Sequence, residues 1–138
     1  MNRLKDKVGE CRQYLAELAG IVPKSFGDYL DNKTKAACER YAERIIECLV
    51  VLAFVLVKKE KLGIPKDDAD AFRILANKKI VPQVLAERLV QAKGMRNVII
   101  HSYSTVNDEL VYEAVKGELP RDAEEFLKAV EKTARQLK

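Results

Sequence analysis

Tryptophan is absent, histidine occurs once, and only six glycines and four prolines punctuate 138 residues. So few breakers leave little of the turn chemistry that hairpins, sandwiches and long linkers require. The three cysteines, Cys11, Cys38 and Cys48, form no CxxC pair, and with one His they make a poor zinc ligand set. Their odd number, with no signal-like N-terminal segment, points to a reducing, cytoplasmic compartment in which the thiols are buried. The longest apolar run, from Ile45 to Val57, is broken by Glu47 and falls short of the roughly 20 residues a membrane span needs. It reads as a nearly fully buried central helix, and no membrane association is expected. A large basic surplus is missing too. The net charge of +4 comes from 25 basic and 21 acidic residues, which permits an anionic partner without requiring one.

What is present is helical periodicity. Leu4, Val8, Cys11, Leu15, Leu18 and Val22 recur at steps of four and three, one apolar stripe on a helix ending near Gly20. Pro23 and Gly27 mark a loop. Asp31 or Asn32 can cap a long helix reaching about Lys59, closed by Lys58, Lys59, Lys61 and Gly63. Asp67, Asp68 and Asp70 suit the N-terminus of a third helix running to about Ala76. Pro82 opens a fourth, to about Ile100, with Val84, Leu85, Leu89, Val90, Met95, Val98 and Ile99 as its apolar positions. Asn107 can cap the next helix, with Val106 and Val111 spaced as a hydrophobic staple. That helix is expected to stop near Gly117, and Pro120 to begin the last one, carrying Ala123, Phe126, Leu127, Val130 and Ala134 on one side. The fold class is all-α: residues 1–138 as one helical domain, an up-and-down bundle of four main helices plus shorter ones.

Chemistry that uses histidine must use His101. Arg96 lies five residues before it and Tyr103 two after. At 100° per residue an ideal helix sets Arg96 and His101 about 140° apart, so fraying after Ile100, with Ser102 and Ser104 offering local hydrogen bonds, would help them meet. Arg and His suit RNA cleavage. The nucleophile is the RNA's own 2′-hydroxyl, an imidazole moves protons near neutrality, and a guanidinium grips phosphate through two parallel N–H bonds. No metal and no cofactor is required. Lys78, Lys79, Lys93 and Arg96 could line an RNA path or be solvated surface, and Glu47 needs a cationic partner among Arg44, Arg88 and Arg96.

The run Arg96-Asn97-Val98-Ile99-Ile100-His101-Ser102-Tyr103 resembles the signature of the HEPN superfamily, more closely the HepT toxins paired with minimal nucleotidyltransferase antitoxins: Arg, four residues, His, one residue, Tyr. Glu39-Arg40-Tyr41, Ile45-Ile46-Glu47, Ala86-Glu87-Arg88-Leu89, Gly94-Met95 and Val106 to Tyr112 extend the likeness over roughly residues 30–130. Val51, Phe54 and Val55 depart from it, standing where family members often carry polar residues, including an acid. The resemblance implies a HEPN-type four-helix bundle and the toxin of a type II toxin–antitoxin system. This would be a metal-independent endoribonuclease cutting tRNA or mRNA in a homodimer cleft. Arg96 and His101 would be catalytic and Asn97 supporting. The nucleotidyltransferase antitoxin would add AMP to Tyr103. An alternative is a non-catalytic HEPN module serving that partner as scaffold or modification substrate, and another is a helical oligomerisation domain in which the motif is accidental.

Overall fold

The computed structural model describes residues 2–101 and 106–136. The helices are α1 (Asn2–Ile21), α2 (Phe26–Tyr29), α3 (Asn32–Lys59), α4 (Asp68–Asn77), α5 (Gln83–His101), α6 (Asp108–Glu113) and α7 (Leu119–Arg135), with a π-helical segment, Ala114–Glu118, joining α6 to α7. Among the described residues there is no strand, and none of their helices is long and apolar enough to cross a membrane. The four long helices α1, α3, α5 and α7 run up and down, with α3 packed against each of the others and α4 bridging α3 and α5.

Local chemistry sets most boundaries. Ser25, Asp31, Asp67 and Asn107 each accept a hydrogen bond from the backbone N–H three residues on, satisfying a donor that the first helical turn leaves unpaired. The short α2, which periodicity did not reveal, owes its start to the Ser25 cap. Two helices end in Schellman turns. Leu62 N–H donates to Val57 O at 3.0 Å and Lys61 N–H to Lys58 O at 3.1 Å, and Ile80 and Lys79 repeat the pattern on Leu75 and Ala76. The left-handed residue in each turn is a lysine, Lys61 (φ 56°) or Lys79 (φ 61°). Gly63 also has positive φ but lies two residues beyond the place a C-capping glycine would take at the end of α3.

Three expectations are corrected. Gly117 does not stop a helix: α6 passes through the π-helical segment into α7, because a single glycine costs only about 1 kcal/mol and Val115 and Leu119 on either side are buried. The long helix is not buried all round. Ile45, Ile46, Leu49, Leu52, Ala53, Leu56 and Val57 are core, whereas Glu47 is exposed and Val51, Phe54 and Val55 are half-buried. On α5, Val84 is exposed rather than inward, while Leu85, Leu89 and Ile99 pack inside.

The buried side chains form one continuous cluster to which α1, α3, α4, α5 and α7 all contribute. Cys11, Cys38 and Cys48 are free and buried within it. Outside the core, Arg12 of α1 clamps α7, reaching Glu124 at 2.7 Å and Glu131 at 2.8 Å. The guanidinium holds the Glu131 carboxyl below its ordinary value. A carboxyl depressed in the folded state stabilises above its unfolded value and loses that contribution as pH falls through the folded one. Urea midpoints should therefore decline on acidification below about pH 4.5, more steeply for wild type than for Arg12→Ala. At neutral pH, Arg12→Ala should cost only about 1 kcal/mol, because these groups are more than a third exposed.

Candidate functional site

A cleft of about 720 Å³ opens where α1, α3 and the C-terminal half of α5 converge. Helical periodicity selects its walls. Lys7, Glu10 and Tyr14 come from one face of α1, and Arg40, Glu43, Arg44, Glu47, Cys48 and Val51 from one face of α3, at steps of three and four. Arg96 and Ile100, also four apart, close it from α5.

Arg96 lines the cleft from α5. Its Nη2 lies 3.6 Å from Glu47 Oε2, so of the three cations open to Glu47 from the sequence, Arg96 is the one it meets. The pair is uneven: the Arg96 side chain is 22% exposed and that of Glu47 65%. Arg96 Nε is buried with no hydrogen-bond partner among the described residues. A long contact to a solvated carboxylate is a weak bond, so the exposed end of the guanidinium can exchange it for an incoming oxyanion.

His101 is the last residue of α5 and is exposed. The α5 helix includes His101, one residue beyond the expected limit at Ile100. The imidazole therefore stays on the ideal wheel, about 140° from Arg96, and does not line the cleft of its own chain. Asn97 is half-buried on the same helix. Tyr103, with Ser102 and Ser104, lies outside the described residues. The chain resumes beyond them at a well-anchored point. Lys35 Nζ of α3 meets Asp108 Oδ2 at 3.2 Å, and the Tyr112 hydroxyl donates to Pro23 O at 2.9 Å. Tyr112 is thus a packing residue, its ring tilted against those of Phe26 and Tyr29, and Glu109 faces solvent. The buried Glu39 carboxyl is pushed up, chiefly by its burial.

The lysines are not gathered. Lys78 and Lys79 sit before α5 begins, and Arg96 lies about 20 Å along that helix from its first residue. A single phosphate cannot touch both ends. Sequence reasoning named Glu47 and Arg44 as possible partners but did not gather the α1 and α3 residues into one cleft. Their signal was the spacing of Arg40, Arg44, Glu47 and Val51 on one helical face, and of Lys7, Glu10 and Tyr14 on another.

Comparison with known proteins adds ancestry to this geometry. The family model described as ribonuclease HepT-like matches residues 11–130. The mRNA nuclease HepT of Shewanella oneidensis is 30% identical over 88 residues, 64% of this chain and 65% of that protein, so the matched stretch spans just under two thirds of that relative. The tRNA nuclease HepT of Aphanizomenon flos-aquae is 25% identical over 75% of this chain and 71% of its own length. Among solved structures, the tri-AMPylated Shewanella oneidensis HEPN toxin in complex with MNT antitoxin superimposes with a TM-score of 0.88. That match covers 95% of this chain and 98% of the other at 22% identity, which establishes the HEPN bundle as the fold.

Proposed function

Because this chain belongs to the HepT-like ribonuclease family, we propose that it is a toxin of the toxin–antitoxin type, a metal-independent endoribonuclease acting on mRNA or tRNA. Arg96 and His101 are its catalytic residues, Asn97 supports them, and residues 1–138 act as one domain in the cytoplasm. The observation that carries this reading is Arg96 lining an open cleft, where its guanidinium is held only by a long contact to a solvent-exposed, displaceable carboxylate.

The chemistry needs little more. An RNA phosphate replaces Glu47 on the guanidinium, which then neutralises charge on the non-bridging oxygens as phosphorus becomes pentacoordinate. An imidazole takes the 2′-hydroxyl proton, O2′ bonds to phosphorus, and the P–O5′ bond breaks. The departing O5′ takes up a proton, leaving a 2′,3′-cyclic phosphate and a free 5′-hydroxyl. His101 is exposed and is not among the residues lining its own chain's cleft, which favours a homodimer in which two motifs face one another and complete each other's sites.

The relatives point to the partner. A solved HEPN toxin occurs AMPylated and bound to an MNT antitoxin, and this chain is proposed to be neutralised by such a nucleotidyltransferase through AMP added to Tyr103. Bulk and negative phosphate there would oppose RNA docking. Protein freed of antitoxin should cut RNA in excess EDTA and leave cyclic-phosphate ends. Protein co-expressed with a nucleotidyltransferase antitoxin should gain mass in AMP units on Tyr103 and lose that activity. Unmodified protein that leaves RNA intact would defeat the nuclease reading, and modification without any nuclease activity would favour a scaffold or modification substrate.

A further inference from the structure

Four cations border the cleft, and three of them are matched by a carboxylate. Lys7 meets Glu10 at 2.8 Å, Arg40 meets Glu43 at 3.3 Å, and Arg96 meets Glu47 at 3.6 Å. Glu10 also accepts from the Tyr14 hydroxyl at 3.1 Å. Arg44 is the exception. Among the described residues no carboxylate lies within ion-pair distance of it, and its guanidinium instead sits over the Tyr14 ring, 5.8 Å from the centroid. Glu17, the further acid that feels its charge, is engaged by Gln13 at 2.7 Å. Tyr14 is braced in turn by Tyr41, whose ring centre is 6.3 Å away at 59°.

This is an exposed, uncompensated guanidinium held in place by an aromatic ring. It lines the same cleft as Arg96 and stands one turn of α3 from Glu47, the carboxylate Arg96 meets, about 4.5 Å along the helix axis. Arginine fixed by an aromatic face loses little side-chain freedom when it binds, and its planar fork suits phosphate. We propose that Arg44, positioned by Tyr14, is a second phosphate subsite. It grips the RNA backbone one nucleotide from the phosphate held at Arg96 and sets the strand's direction through the cleft. Only the substrate class rests on the nuclease reading. The subsite itself follows from the charge pairing and the ring contact.

The test is fluorescence anisotropy with a short fluorescein-labelled single-stranded RNA, titrated with His101→Ala protein so that the strand is not consumed. Adding Arg44→Ala should weaken binding roughly tenfold and reduce the slope of log affinity against log salt by about 0.7, the signature of one lost phosphate contact on a single strand. Arg44→Lys should keep the slope while losing part of the affinity. Tyr14→Ala should weaken binding without changing the slope, since it removes the support and not the charge. Arg73→Ala, at an exposed arginine paired with Glu87 away from the cleft, should do neither. In cleavage assays with His101 intact, Arg44→Ala should raise KM and leave kcat within a factor of two. Unaltered affinity and slope in Arg44→Ala, or an equal loss in Arg73→Ala, would overturn the subsite. Wild-type protein that binds RNA through Arg44 but never cuts it would sink the nuclease reading and leave the subsite standing.

Discussion

Replacing His101 with alanine should slow RNA cleavage by about 10²–10⁴-fold, the usual worth of a positioned proton carrier. Replacing Arg96 with alanine should cost about 10²–10³-fold, comparable with losing one donor to a developing oxyanion. Both variants should fold, since His101 is exposed and Arg96 makes one long ion pair. Their mixture is more revealing than either alone. If one protomer supplies the guanidinium and its partner the imidazole, a dimer carrying Arg96→Ala on one chain and His101→Ala on the other keeps one intact site. Random exchange between two inactive homodimers would then restore roughly a quarter of wild-type activity, since half the dimers are mixed and each keeps one of two sites. If both groups act within one chain, exchange restores nothing, and the two-chain site is wrong although the nuclease is not. A His101→Ala protein that cuts as fast as wild type would end the catalytic assignment altogether. Denaturation midpoints close to wild type would show that lost activity reflects chemistry and not unfolding.

Phe126→Ala should be the most damaging single truncation in the core. Phe126 of α7 is fully buried and meets Phe72 of α4 edge to face, with ring centres 5.6 Å apart and planes at 75°. Removing the ring loses its burial and leaves a cavity that helices docked on several sides cannot collapse into, at about 3–5 kcal/mol. For a chain of this size that is a fall in Tm of roughly 10–20 °C. Phe72→Ala in the same background should add less than it costs alone, because the ring pair is already broken, with a coupling of about 0.5–1.5 kcal/mol. Urea denaturation of the two single variants and the double variant measures this. Additive losses would mean that the rings contribute area but no specific pairing.

Much of the scaffold was legible because its signals are local. The stripe of Leu4, Val8, Cys11 and Leu18, the caps at Asp31, Asp67 and Asn107, and the apolar side of α7 each lie within a few turns of one helix. Errors arose where a local sign competed with packing. Gly117 read as a stop but sits between buried Val115 and Leu119, so the helix continues through it as π-helical turns. The run around Glu47 read as nearly fully buried because the apolar average of a stretch does not say which way each side chain faces. Ser102 and Ser104, which suggested fraying, lie outside the described residues, and α5 is helical as far as His101.

The amino-acid sequence by itself determined the helical class, most helix limits and the order Arg96, Asn97, His101, Tyr103, since all of these follow from periodicity, capping and short spacing. Only the tertiary structure decided that Arg96 meets Glu47, that Arg44 is left without a carboxylate among the described residues and rests on Tyr14, and that His101 does not line the cleft of its own chain. The reason is range: α1, α3 and α5 each bring residues to this cleft from distant stretches of chain, and such contacts depend on how helices dock, which no window of one helix encodes.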